Sequence, residues 1–303
     1  MNRSIALIVE RGFLNTEENL SLISKFKEAS WCADYIALEE IEAHFTTEPR
    51  IDYFYNDRSL SSYSLVLFQD VFSNVRFVIN IIEFLKEHNV KVIDNNLHKT
   101  QFLINKIYDA QRLIKAGIPY PKSYYSGDYR SYVKNIDKII EFLGFPLLVK
   151  NRSSGKGKDI YKADTKKEFM QILNRIEEKG YAEKFYVQEF LKLKADYRIL
   201  VIANKVIGAI QRFPKTGDFR ANFSLGGTVK PVELTKEMKE FAEKAIKATE
   251  CQFAGVDLVY TTDDKPYVLE VNRTPGFKGF TEAHKLDIPK FFVDYAEELI
   301  KTN

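Results

Sequence analysis

Two apolar segments near the end of the chain, residues 253–260 (Phe-Ala-Gly-Val-Asp-Leu-Val-Tyr) and 266–272 (Pro-Tyr-Val-Leu-Glu-Val-Asn), restrict its fold more than any other feature. Both alternate as β-strands do, and the Thr-Thr-Asp-Asp-Lys between them has turn composition. Side chains on a strand alternate between faces, so Val268, Glu270 and Asn272 are expected on one face. A symmetric hairpin sets Asp257 opposite Glu270 and Gly255 opposite Asn272. Val256, Leu258, Leu269 and Val271 then face a core. Two carboxylates across a strand pair repel unless a cation lies between them. The three oxygen-bearing side chains suit magnesium, which on so few carboxylates usually shares nucleotide phosphates. That chemistry points to ATP. Read alone, the same hairpin is equally an ordinary acidic surface hairpin.

With 303 residues the chain has room for two or three domains. A formal charge of +3 gives no ground for nucleic-acid or membrane binding. No run approaches the ~20 apolar residues of a membrane span. The beginning, Met-Asn-Arg-Ser-Ile-Ala-Leu-Ile-Val-Glu, reads as a strand rather than an export signal. Cys32 and Cys251, with no Cys-x-x-Cys, argue against a zinc site and suit a reducing cytoplasm.

Three sections follow from periodicity. Residues 1–95 alternate strands (4–9, 34–38, 64–69, 91–93) with helices (16–29, 75–88), which predicts an open, mostly parallel α/β sheet. No Gly-x-Gly-x-x-Gly follows the first strand, so a dinucleotide site there is unsupported. Residues 96–190 open on helical spacing from Phe102 to Ile114, stopped by Gly117 and Pro119. Strands at 145–150 and 185–191 and a helix at 165–179 complete that section. Residues 191–303 carry strands at 197–202 and 206–213, a Gly-rich stretch, a helix at 236–249, the late hairpin and a closing helix at 288–300.

Several residues could hold a nucleotide. Lys150 ends a strand and is followed by Ser153-Ser-Gly155-Lys-Gly157, whose backbone N–H groups could cradle phosphate, although the loop is not a Walker A motif. A solvated lysine-rich turn explains the same residues. Lys106 near a helix start is equally a surface lysine. Glu189, Phe190 and Leu191 leave a strand where adenine could dock, or form a plain edge strand. Asp196 could accept from ribose hydroxyls or cap a turn. Arg212, Arg220 and Asn222 bracket a Gly-rich stretch; guanidinium groups there would stabilise a transferring phosphoryl group, or lie on the surface.

In order, Gln188-Glu-Phe, Asp196-Tyr-Arg198, Gly217-Asp-Phe-Arg-Ala-Asn222, Ala254-Gly-Val-Asp257 and Leu269-Glu-Val-Asn-Arg-Thr-Pro-Gly-Phe277 resemble the ATP-grasp superfamily, and within it the RimK-type amino-acid ligases. The resemblance runs from about Asn95 onward. It implies two α+β lobes that clamp ATP, behind a preceding α/β domain that helps bind substrate. Lys106, Lys150 and the loop with Ser153, Gly155 and Gly157 would contact phosphates. Glu189, Phe190 and Leu191 would hold adenine, and Asp196 the ribose. Arg220 and Asn222 would touch the phosphates, with Arg220 and Lys150 in catalytic roles. Asp257, Glu270 and Asn272 would bind two magnesium ions, with Glu270 bridging; manganese is the alternative ion. Asn105, Leu225 and Arg273 depart from the family pattern, and Arg212 and Arg273 are the expected substrate contacts.

The implied reaction joins a carboxylate to an amine or amino acid through an acyl phosphate. A protein or peptide tail could serve as one partner. A kinase acting on a hydroxyl and a non-catalytic regulatory nucleotide binder are the alternatives. A homo-oligomer stays open.

Overall fold

The computed structural model describes residues 3–46, 50–72, 74–94, 106–152, 159–215 and 227–301. The first section forms β1 (Ser4–Val9), α1 (Glu17–Glu28), β2 (Cys32–Ala37), β3 (Glu42–Thr46), β4 (Arg50–Tyr55), β5 (Arg58–Ser59), β6 (Leu65–Phe68), α2 (Val75–Glu87) and β7 (Lys91–Ile93). Its main sheet has the order β2-β1-β6-β7, with every pairing parallel. All six residues of β1 are buried, as a strand covered on both faces requires. On one face, Ala6, Ile8, Val66 and Phe68 pack against Val78, Ile81 and Leu85 of α2. On the other, Ile5, Leu7, Val9, Leu65 and Leu67 pack against Leu22, Ile23 and Phe26 of α1.

A small antiparallel sheet, β3-β4-β5, is inserted between β2 and β6 and was not expected from the sequence. β3 alternates over only five residues, Glu-Ala-His-Phe-Thr, and is mostly exposed, so its signal is too short to announce a strand.

The second section contains α3 (Lys106–Lys115), β8 (Ser123–Tyr124), α4 (Tyr129–Lys134), α5 (Ile136–Leu143), β9 (Leu147–Asn151), β10 (Ile160–Ala163), α6 (Lys166–Glu178) and β11 (Phe185–Glu189). The sheet β10-β9-β11-β8 is antiparallel. Leu147, Val149 and Val187 pack with Phe169 and Leu173 of α6 and Ile139 of α5 in a separate core. Thr165 caps α6 by accepting from the Glu168 N–H at 3.2 Å.

The third section is β12 (Leu193–Ile202), β13 (Lys205–Phe213), β14 (Thr228–Val232), α7 (Lys236–Thr249), β15 (Phe253–Thr261), β16 (Pro266–Asn272), α8 (Lys278–His284) and α9 (Ile288–Lys301). Its antiparallel sheet has the order β14-β13-β12-β15-β16. One face, with Ile199, Val201, Ala209, Val256 and Leu258, packs on Ala242, Ala245 and Ile246 of α7. Leu113 of α3 and the following Ile118 join that same core, so α3 packs with the third section rather than with the second.

The opposite face of this sheet is divided. Leu200, Ile202, Ile210 and Phe253 enter one continuous core with β1, β6, α1 and Phe292 of α9. Further along the same strands, strand parity turns Asp196, Arg198, Arg212 and Asp257 to that face. The first section therefore covers half of the sheet face and leaves the charged half for a pocket.

Candidate active site

The hairpin of β15 and β16 pairs Asp257 with Glu270 and Gly255 with Asn272. Beyond Asp257 the register shifts, and Leu258 pairs with Val268, leaving Leu269 as the extra residue of a bulge. Two expectations are corrected by it. Val268, expected beside Glu270, is fully buried in the core under α7, whereas Leu269, expected in the core, lines the pocket. A bulge reverses strand parity on one side of the hairpin, which a symmetric closure cannot do.

Four strands contribute one charged row. Asp257 accepts from Arg198 Nε at 2.8 Å and from a second Arg198 nitrogen at 2.9 Å. Arg212 Nη1 lies 3.0 Å from Asp257 Oδ2, and Arg212 Nε donates to Asp196 Oδ1 at 2.9 Å. The Asn272 amide donates to Asp257 Oδ2 at 3.3 Å. The register explains the row, since Asp196 pairs with Arg212 and Arg198 with Asp257. Arg212 is buried, and its pKa is raised because Asp257 and Asp196 outweigh the penalty of burial.

Two lysines from the second section complete the site. Lys106, the first residue of α3, lies 2.9 Å from Glu270 Oε2. Burial works to raise the Glu270 carboxyl, but Lys106, then Arg198 and Lys150, hold it well below the usual carboxylate range. Lys150, next to last in β9, donates to Gln188 Oε1 at 2.8 Å. Burial, helped by the nearby charge of Lys106, brings the Lys150 ammonium down to about 8.

These groups share a pocket of about 390 Å³ between the second and third sections. Glu189, Phe190, Leu191, Asp196, Arg212, Asp257 and Glu270 all line it, with Lys106 and Lys150. The Glu189 carboxylate accepts from the Lys122 N–H at 2.7 Å, and the Phe190 N–H donates to the Pro146 carbonyl at 3.2 Å.

Arg273 points elsewhere. It donates to the Thr249 carbonyl at 3.1 Å and lies 3.7 Å from Asp94, at the junction with the first section. Ser153, Gly155, Gly157, Arg220, Asn222 and the departures Asn105 and Leu225 lie outside the described residues. Arg198 belongs to the Asp196-Tyr-Arg198 motif, yet the sequence assigns it no role. Its spacing of two from Asp196 on one strand was the available signal. Gln188, which fixes Lys150, gave none.

The donors suit a hard divalent ion. Asp257, Glu270 and Asn272 offer oxygen only, and Asn272 lies within hydrogen-bonding reach of Asp257. Among the described residues no group of three or more His, Cys, Asp or Glu is placed to hold a metal ion. An ion seated here would take its remaining ligands from elsewhere, as magnesium does with phosphates.

A family model for a RimK-like ATP-grasp domain matches residues 104–296. The chain belongs to the RimK-like ATP-grasp family. It is 31% identical over 197 residues to a probable alpha-L-glutamate ligase of Trichodesmium erythraeum, a match covering 64% of each chain. It is 30% identical over 198 residues to human beta-citrylglutamate synthase B, covering 65% of this chain and 50% of the relative. The matched stretch thus spans between half and two thirds of these relatives. Among solved structures, the ATP-grasp ligase PsnB complexed with a phosphomimetic variant of minimal precursor, Mg and ADP superposes with a TM-score of 0.75. It shares 18% identity, and the match covers 99% of each chain. The D-Ala:D-Ser ligase VanG of Enterococcus faecalis gives 0.73 at 18% identity, over 99% of this chain and 100% of that one. The architecture is accordingly the ATP-grasp fold, two α+β lobes behind an open parallel α/β domain. Among the described residues no helix is long and apolar enough to cross a membrane.

Proposed function

We propose that this protein is an ATP-dependent carboxylate–amine ligase that forms an amide through an acyl phosphate. The observation that carries this reading is the convergence of Lys106, Lys150, Asp257 and Glu270 on one pocket, with Lys106 and Glu270 2.9 Å apart. ATP would lie with adenine against Phe190 and Leu191 and ribose at Asp196. Its phosphates would meet Lys106, Lys150, Arg220, Asn222 and the Ser153, Gly155 and Gly157 loop. Asp257, Glu270 and Asn272 would hold two magnesium ions, or manganese in their place. Bound magnesium would neutralise charge on the phosphates as a Lewis acid.

The chain's own residues supply position and charge. A substrate carboxylate attacks the γ-phosphorus, the bond to the β-phosphate oxygen breaks, and ADP leaves with the electron pair. Lys150 and Arg220 offset the charge on the transferring group. An amine then attacks the acyl carbon, loses a proton, and inorganic phosphate departs. No protein atom is the nucleophile, so the rate rests on orientation within the pocket. Arg198 and Arg212 fix Asp257 from two sides, and Gln188 fixes Lys150, so the pocket floor is organised in advance.

The names of the matched relatives favour glutamate as the amine and a small carboxylate or peptide end as the acid. The test is ATP consumption by the full chain with L-glutamate and other amino acids against citrate, N-acetylaspartate and short acidic peptides. Products are identified by mass spectrometry. Phosphate release that needs both acid and amine, with hydroxamate formed when hydroxylamine replaces the amine, supports the ligase. Phosphate transfer to a hydroxyl without hydroxamate makes it a kinase, and ATP binding with no turnover makes it a regulatory module.

A further inference from the structure

The two lysines of the pocket are held in different ways. Lys106 is paired with the Glu270 carboxylate at 2.9 Å. Lys150 is held by a neutral group, the side-chain amide of Gln188, which accepts from it at 2.8 Å. An amide offers an oxygen acceptor at one end and N–H donors at the other, and the two ends have nearly the same shape. Turned end for end, Gln188 would set N–H donors against the Lys150 ammonium. What holds the far end of the amide therefore helps to decide which end Lys150 meets.

That far end is held from β8. β8 pairs antiparallel with β11, and the register puts Ser123 directly opposite Gln188. The Ser123 hydroxyl donates to the Pro121 carbonyl at 3.0 Å and accepts from Gln188 Nε2 at 2.9 Å. A hydroxyl has one proton and a carbonyl can only accept, so Ser123 spends its proton on Pro121 and presents a lone pair to Gln188. An ammonium, at the other end of the row, has donors only. All the bonds thus run one way, from Lys150 to Gln188 to Ser123 to Pro121. Tyr120 adjoins the same amide and the phenol of Tyr186.

Gln188 is only 2% exposed, so an N–H deprived of its acceptor there is costly. Without the Ser123 hydroxyl the amide is relieved by rotating, and rotation takes Oε1 away from Lys150. Lys150 and Gln188 line the pocket, whereas Ser123 stands behind them on a strand of two residues. Its hydroxyl reaches the pocket only through the amide.

We infer that Ser123 is a positioning residue for Lys150, acting through the orientation of the Gln188 amide. This rests on the reading that the pocket takes ATP and that Lys150 meets its phosphates. The test is calorimetric titration of the full chain with a non-hydrolysable ATP analogue, at neutral pH with magnesium at saturation. Ser123→Thr keeps the hydroxyl, and Ser123→Val has the same shape without it. Valine suits a strand as well as threonine does, so a merely structural role in pairing β8 with β11 would leave the two alike. Ser123→Val is expected to weaken the analogue about fivefold, the size of one ordinary hydrogen bond, and Ser123→Thr to bind it as the parent does. Ser123→Ala removes the hydroxyl with less bulk and should match Ser123→Val. Because Ser123 acts through Gln188, Ser123→Val should add no loss to that of Gln188→Met. Parent-like affinity in the valine or the alanine variant, a threonine variant as weak as the valine one, or the same further loss in the Gln188→Met background would each overturn the inference. A parent that binds no analogue removes the ATP reading and this inference with it. A parent that binds, with affinity indifferent to the hydroxyl at position 123, removes the inference alone.

Discussion

Asp109 lies one helical turn after Lys106 on α3, and its replacement by asparagine tests the electrostatics around the site. Burial pushes the Asp109 carboxyl up to about 6 from its ordinary 3.8, against the pull of Arg273 and Arg112. A carboxyl whose folded-state pKa is raised binds more protons folded than unfolded between those two values. Stability therefore falls as pH rises through that window, and the deficit is complete above it. Asparagine cannot titrate, so Asp109→Asn should gain on the parent as pH rises. Linkage gives a gain of roughly 2 kcal/mol between pH 4 and 7, about 1 of it between pH 5 and 7. These are upper limits, because the residue keeps partial exposure. Urea denaturation of both proteins at pH 5, 6 and 7 measures the difference. A stability difference that is flat with pH, or that shrinks toward neutrality, would refute the assignment of a buried, mainly desolvated carboxyl.

Three further outcomes follow from the same geometry. Glu270→Ala should abolish ATP turnover while circular dichroism shows a folded chain; normal turnover by that folded variant would remove Glu270 from the mechanism. Because burial leaves Lys150 at about 8, kcat/KM for ATP should decline as pH rises through 8 and the ammonium loses its charge, and a profile level to pH 10 would contradict this. Gly255→Ala would set a Cβ 2.8 Å from Pro275 and 3.2 Å from the Arg198 side chain. It should destabilise by about 1–3 kcal/mol and cut activity by displacing Arg198, so an unchanged melting temperature with full activity would show that the contact yields freely.

The late hairpin was legible because β-strands repeat every two residues, and that local rule is enough to set Asp257 against Glu270. The same rule failed at Leu269, since a bulge is chosen by what packs on each side and leaves no trace in alternation. The pairing of Arg198 with Asp257 was hidden for another reason. The two are separated by 59 residues, and only the register between β12 and β15 brings them together. The parallel α/β beginning was readable from buried runs such as 4–9. The insert from β3 to β5 was not, because its alternating runs (Ala43 and Phe45; Ile51, Tyr53 and Tyr55) are short and β5 has only two residues. For Arg273, a position beside Asn272 suggested a substrate contact, yet the backbone turns its guanidinium away toward Thr249.

The joint hydrophobic mass linking Phe253 and Phe292 to Leu7 and Phe26 bears on how such a protein could be taken apart. A fragment beginning at the ATP-grasp lobes would bare greasy flanks of α9 and of the inner strands β12, β13 and β15 to water. Grafting a foreign front piece onto those lobes would therefore demand matching shape along that whole seam, so the two halves are bound to change together.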